Sequence, residues 1–226
     1  MIFDLDQQTV REFNAALHRL TPESTRSAWR ALNPKGRHAL AAGLKAYVRV
    51  EIAGHAGYYC AGMNQCGEVV IEGNCGVGVA ENMMSGRVHV KGNASQSAGA
   101  TAHGGLLVVD GDASARCGIS MKGINIVVKG SVGHMSAFMG QSGTLVVCGD
   151  AGEALGDSLY EARLFVRGNV ASLGADCIEK EMRPEHLELL RRLLSEAGSD
   201  ATPEEFRRYG SARRLYNFHI DHASSY

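Results

Sequence analysis

Six cysteines, nine histidines and one glycine-rich run are the parts of this sequence with the most obvious chemistry. Cys60, Cys66, Cys75, Cys117, Cys148 and Cys177 include no CxxC pair, so the spacing that opens most zinc and iron–sulfur sites is missing. Gly73-Asn74-Cys75-Gly76-Val77-Gly78 has the glycine content of a phosphate loop. Such a loop works only between a strand and a helix whose N-terminal amides face the phosphate, and no helical pattern follows Gly78. His219-Ile220-Asp221-His222 offers two imidazoles and a carboxylate. A spacing of three aligns those rings only on a helix, and the surrounding residues lack the period, so a surface arm is expected. His89, His103 and His134 are not spaced to pair with a Ser, Cys or Asp as a nucleophilic site. No catalytic, cofactor-binding or metal-binding residue is expected in this chain.

The bulk properties narrow the class further. A formal charge of -1 over 226 residues disfavours a general nucleic-acid or membrane-surface binder. No apolar run is long enough to span a bilayer. The opening MIFDLDQQ is acidic and does not resemble a secretory signal, so the expected location is cytoplasmic.

What must position any function is a repeat. Gly54, Gly73, Gly92, Gly111, Gly130, Gly149 and Gly168 recur every 19 residues without an insertion. Four residues before each stands Val50, Val69, Val88, Leu107, Ile126, Leu145 or Leu164; two before stands Ile52, Ile71, Val90, Val109, Val128, Val147 or Val166. Two after each, the residue is small and apolar: Ala56, Cys75, Ala94, Ala113, Val132, Ala151 or Val170. Positions −4, −2 and +2 relative to the glycine lie on one side of an extended strand and are expected to face inward. A fixed period near 20 marks a solenoid, and the alternation of period 2 makes its units strands rather than helices. The expected fold is an all-β core: a right-handed parallel β-helix of about seven 19-residue coils with helical N- and C-terminal extensions. Neighbouring coils stack at ~4.8 Å, so the rod is on the order of 34 Å long. Cys60 and Cys117 share a column but are three coils, roughly 14 Å, apart, too far for a disulfide; the cysteines are expected to be free and buried.

The remaining columns give the corners and the outer face. His55, Asn74, Asn93, Asp112, Ser131, Asp150 and Asn169 follow the glycines and are types that tolerate tight or left-handed backbone, so a bend is expected there. Position +7 (Ala61, Ala80, Gly99, Gly118, Ala137, Gly156, Ala175) admits only tiny residues, which implies a narrow tube at that side. Gly67, Gly86, Gly105 and Gly143 mark a further corner. Position −3 points outward yet holds Val70, Val108, Val127, Val146 and Phe165, with Glu51 and His89 the exceptions. An apolar line on the outside must be covered, by the chain's own C-terminal helix or by another subunit. These five residues are the candidate subunit interface.

The ends are expected to cap the exposed strand edges. Residues 1–47 read as an N-terminal helical cap. Asp6 can cap a helix with the stripe Val10, Phe13, Leu17 and Leu20, Thr21-Pro22 can start another, and Asn33-Pro34-Lys35-Gly36 is a turn. Residues 48–182 form the β-helix. Residues 183–226 read as C-terminal helices and an extended arm. Arg183-Pro184-Glu185 opens a helix with Leu187, Leu190, Leu193 and Leu194 on one face, Glu188 and Arg192 as an i,i+4 pair, and Gly198 past its end. Thr202-Pro203-Glu204-Glu205 has the form of a capping box for a short helix through Phe206 and Tyr209.

Two β-helix enzyme classes fit poorly. Hexapeptide acyltransferases have an 18-residue coil, and calcium-binding nonapeptide proteins need GGxGxD runs that are absent. The coils GHAGYYCAGMNQCGEVVIEGNCGVGVAENMMSG and GDAGEALGDSLYEA, by contrast, resemble the C-terminal GXGXG β-helix domain of the glutamate synthase large subunit over about residues 48–182. A similar domain is found in formylmethanofuran dehydrogenase, as one of its several polypeptides. With its own terminal extensions and the tail LYNFHIDHASSY, the chain is most similar to the stand-alone β-helix subunit of the N-methylglutamate synthase family. That resemblance implies a non-catalytic scaffold in a hetero-oligomer that forms N-methylglutamate from glutamate and methylamine. Its partners would be an amidotransferase-like subunit and an FMN/iron–sulfur subunit, with no cofactor in this chain. A β-helix subunit of a formylmethanofuran dehydrogenase-type complex, or an independent β-helix enzyme, are the alternatives.

Overall fold

The computed structural model describes residues 1–21 and 28–215. The proposed helix start at Thr21-Pro22 and the sequence His219-Ile220-Asp221-His222 therefore fall wholly or partly outside the described residues. Aliphatic pairs at −4 and −2 give each coil a short strand: β1 (Ile2–Asp4) and β2 (Ala28–Leu32) flank a helix α1 (Val10–His18), and β3 (Arg49–Ile52), β4 (Glu68–Ile71), β5 (Arg87–Val90), β6 (Leu106–Val109), β7 (Lys122–Val128), β8 (Ser142–Val147) and β9 (Arg163–Val166) follow. All nine are parallel neighbours in chain order. From β3 onward the register is the 19-residue period, as in Val50↔Val69 and Val69↔Val88, except at a bulge where Lys122 pairs with Ser142. A second line of bridges joins the +2 residues from Ala56 to Val170. Val50, Ile52, Val69, Ile71 and their successors are fully buried in one core running the length of the stack. This is the parallel β-solenoid that the glycine series implies.

The stack begins earlier than that series. β2 pairs with β3 at a separation of 21 residues (Trp29↔Val50), two more than the period, and contains no matching glycine. Among its described residues the segment 1–47 thus holds two strands and one helix rather than a helical cap throughout. The helix is capped by Thr9, not Asp6: Thr9 and Glu12 exchange backbone–side-chain bonds of 2.8 and 3.2 Å. Asp6 instead pairs with Lys35 at 2.6 Å in the turn after β2. Phe13 and Leu17 are buried, with Val10 and Leu20 packed beside them, so the expected stripe does cover the first coil. Asn14 fixes the helix there, donating to Ala39 O (2.7 Å) and accepting from Ala41 N (3.0 Å).

The other end is closed differently. β10 (Cys177–Lys180) leads into α2 (Pro184–Ala197), a single 3-10 turn (Pro203–Glu205) and β11 (Arg207–Ser211). Thr202 and Glu205 form the expected capping box, with Thr202 N donating at 2.8 Å, but the helix stops after one turn. The chain then enters the sheet: β11 runs antiparallel between β9 and β10. The reason is packing. Tyr209 joins the rod core while Phe206 joins the outer cluster, an alternation that only an extended chain can satisfy. α2 ends at Gly198 in the left-handed conformation (φ 64°), as the sequence indicates. Its ion pair joins Arg192 to Glu196 (4.0 Å) instead of Glu188 to Arg192.

Candidate functional site

The column after the glycines has a role beyond the expected bend. Its residues are not left-handed; their side chains accept hydrogen bonds from the same position one coil on. Asn74 N donates to His55 Nδ1 (2.9 Å), Asn93 N to Asn74 Oδ1 (2.9 Å), Asp112 N to Asn93 Oδ1 (2.9 Å), Ser131 N to Asp112 Oδ1 (2.8 Å), Asp150 N to Ser131 Oγ (3.0 Å) and Asn169 N to Asp150 Oδ1 (2.7 Å). Six rungs tie the seven coils together. They also explain the glycines. Among the seven only Gly54 has a left-handed φ (+142°). In the others a Cβ would collide with the rung below: with His55 Nδ1 at Gly73 (2.6 Å), with Asn74 Oδ1 at Gly92, with Asn93 Oδ1 at Gly111, with Asp112 Oδ1 at Gly130, with Ser131 Oγ at Gly149 and with Asp150 Oδ1 at Gly168. The signal is present in the sequence, since every residue of the column carries an acceptor.

Left-handed backbone sits further round the coil, at +5, +7 and +9. Tyr59, Ala61 and Met63 have φ of 57°, 54° and 54°, and Ala80, Asn82, Ser97, Thr101, Arg116, Ser120, Met135, Ala137 and Met139 repeat the pattern. Position +7 is tiny for this reason as well as for burial: Ala61, Ala80 and Ala137 are fully buried. The corner is held by bonds to both neighbouring coils, for instance Tyr59 N to Val77 O (2.8 Å) and Ala80 N to Cys60 O (3.0 Å). Gly86, Gly105 and Gly143 are the expected second corner, with φ of 89°, 84° and 103°.

The outward apolar column has its cover. Val108, Val127, Val146 and Phe165 are fully buried in a cluster with Leu190, Leu193, Leu194 and Ala197 of α2 and with Phe206. These four residues are therefore not available to a partner, and the candidate subunit interface is corrected: the apolar seam is an internal joint. Val70 is also buried (4% exposed), outside either apolar cluster. Leu187 is only partly buried, and His186 takes the inward place near the start of α2.

Elsewhere the outer face is ionic. His89 Nε2 lies 2.9 Å from Asp110 Oδ1, and Lys129 and Lys91 approach the same carboxylate at 2.9 and 3.7 Å. His89 and Asp110 are one coil plus two residues apart, so this diagonal cannot be seen as a shared column. Asp110 is held below the usual carboxylate range: burial opposes its charge, but hydrogen bonds from Lys129 and His89 outweigh it. His89 is lowered from 6.5, first by burial and only partly restored by Asp110. His186 is lowered too, by burial and by nearby arginines. A folded pKa below the unfolded one means that the unfolded chain takes up protons first. Stability is therefore expected to be at its full value above pH 6.5 and to decline as pH falls below it, with the Asp110 share lost only at much lower pH. In urea titrations at pH 7.5 and 5.5, His89→Gln should shrink the difference in midpoint; an unchanged difference would remove His89 from the account.

All six cysteines are free, and all but Cys66 are buried. Burial pushes the Cys117 and Cys177 thiols up to about 12, and Cys60 is raised well above 9.0 by its contact with Cys75 and by burial. These are neutral packing residues rather than nucleophiles. Among the described residues no three His, Cys, Asp or Glu side chains converge as metal ligands, and no helix is long and apolar enough to cross a membrane. His103 and His134 lie in other columns from His89, as their spacing indicates. The Gly73–Gly78 run leads into the left-handed corner, not a helix.

No protein-family model matches the chain. A curated relative does: Protein GlxC of Rhizobium meliloti (strain 1021) is 62% identical over 226 residues, spanning 100% of this chain and 99% of GlxC. With identity at that level over nearly the whole of both chains, the chain belongs to the GlxC family.

Proposed function

We propose that this chain is the β-helix subunit of a glutamate synthase-like complex, of the kind that makes N-methylglutamate, and that its role is to hold the other subunits in place. The observation that carries this reading is a GXGXG coil stack closed at both ends by its own terminal elements and matched across 99% of GlxC. A scaffold must be stiff, and six side-chain rungs in addition to the strand ladders supply stiffness along the rod. The partners in this proposal are an amidotransferase-like subunit, which releases the amine, and an FMN and iron–sulfur subunit, which uses it.

Because α2 seals the apolar seam, docking falls to the coils that it leaves open. There Tyr58 (58%), Met63 (48%), Val77 (39%) and Met84 (48%) are exposed on the first coils, an apolar set with aromatic and Met members as docking surfaces favour. The test is affinity purification of the tagged full chain from its native source, with flavin and iron measured. Two co-purifying subunits are expected, one of them carrying the flavin and iron, while the chain alone is colourless and inactive. A yellow, active preparation of the isolated chain would overturn the scaffold role, and capture of a formylmethanofuran dehydrogenase-type set would reassign the complex.

A further inference from the structure

The seam under α2 is not apolar throughout. On the outer face the −3 column is Val127, Val146 and Phe165, whereas the −5 column beside it is Asn125, Thr144 and Arg163. β11 adds Arg208 directly opposite Phe165, and β10 adds Lys180 directly opposite Arg208. Three adjacent strands thus bring Arg163, Arg208 and Lys180 to one patch, with two cations as a direct cross-strand pair. Like charges in that position are destabilising, and sheets avoid them unless something offsets the charge. Carboxylates of the chain offset it only at longer range, Glu161 and Asp176 acting on Lys180 and Glu185 and Glu181 on Arg208. Among the described residues none of the three forms an ion pair. Lys180 Nζ donates to Ser211 O (2.6 Å) and Arg208 Nη1 to Glu181 O (2.9 Å), both backbone carbonyls, and Arg208 Nε is buried with no acceptor among the described residues.

These groups line a cavity of about 360 Å³ between the coil edge and α2, which also contributes Arg192. Arg213 lines it as well but is engaged by Glu161, at 2.8 and 2.9 Å to the two carboxylate oxygens. Tyr160, Thr144, Ser142 and Asn125 complete a polar wall. We propose that this cavity is a binding site for a small oxyanion-bearing ligand, a carboxylate or a phosphate, held by Arg163, Lys180 and Arg208. Two guanidinium forks suit paired oxygens, and the lysine adds a point charge. The volume is at the small end of ligand pockets, which fits a compact metabolite better than a nucleotide. Lys180 is depressed by burial and then by Arg208 and Arg213, with Glu161 and Asp176 opposing, and Arg208 by burial and then by Arg183 and Arg163, with Glu185 and Glu181 opposing. The inference rests on the joint between the last coils and the C-terminal elements and is independent of the complex proposed above.

Inorganic phosphate and glutarate, each against sodium chloride at equal ionic strength, test it on the isolated full chain by calorimetry and thermal unfolding. Saturable binding and a higher Tm are expected with at least one of the two; phosphate alone identifies a phosphorylated ligand, glutarate alone a carboxylate, and both an unselective oxyanion site. Arg208→Met should raise the Tm in chloride by relieving the like-charge pair, yet lose the anion-specific rise. Arg163→Gln, at an exposed position of β9, keeps the test decisive if Arg208→Met fails to fold, and should weaken binding about tenfold. Equal effects of chloride and the two probe anions, or binding by Arg163→Gln as tight as by the parent chain, would overturn the proposal.

Discussion

Gly111→Ala is expected to destabilise the chain by about 2–3 kcal/mol, although alanine is the smallest possible addition. The new Cβ would overlap Asn93 Oδ1 and lie 3.0 Å from Gly92 O. Overpacking of this kind costs about 1–3 kcal/mol, and displacing Asn93 also breaks its rung to Asp112 N, about 1 kcal/mol more. A gain of about 0.4–1 kcal/mol from the stiffer unfolded chain offsets part of this. At this chain length the loss corresponds to a Tm lower by roughly 5–10 °C. The cause can be isolated. Asn93→Ala removes the obstructing oxygen, so the double variant should be more stable than the sum of the two single losses predicts. Strict additivity in denaturant titrations would mean that Gly111 is required for its backbone freedom after all.

Leu193→Asp should have a still larger effect, at least ~3 kcal/mol, because it drives an unpaired carboxylate into the seam. Leu193 is fully buried against the outward column. The helix can escape that penalty only by lifting off, which uncovers Val108, Val127, Val146 and Phe165 together. The expected signature is selective: rapid protease cleavage within 184–197 and strong binding of an apolar dye, while the strand signal in circular dichroism persists. Persistence is expected because the rod core and the seam are separate clusters. If α2 stays protected in the variant, the seam is not what holds the helix.

The two predictions mark where sequence pattern was sufficient and where it was not. The columns at −4, −2 and +2 were legible because burial imposes one chemical type on every coil, and seven copies make the type unmistakable. The outward column was legible as something covered, but covering looks the same in one chain whether the cover is a helix or a subunit. The first coil escaped because Trp29 and Ala31 meet Val50 and Ile52 out of period. β11 escaped because RRYGS has one core residue, Tyr209, and follows a genuine capping box. The left-handed corner was hidden in another way. Its conformation is imposed by bonds from the coils above and below, so Tyr59, Arg116 and Met135 accept it despite their side chains. The cationic cavity could not be read at all, since Arg163, Lys180 and Arg208 are brought together only by the strand insertion.

The rungs between coils have a further consequence for how such a chain can change in length. A single inserted or deleted residue within a coil would cost the one rung that spans it, while the rungs beyond it keep their 19-residue step and the rod keeps its length. Removal of a whole 19-residue unit, however, leaves each remaining rung intact and simply shortens the rod by ~4.8 Å. α2 is clamped across the seam from Val108 to Phe165, which restricts such editing to the early coils. The distance between anything bound near Tyr58 and anything bound at the C-terminal cap is therefore adjustable only in whole steps, as on a ruler with one division per coil.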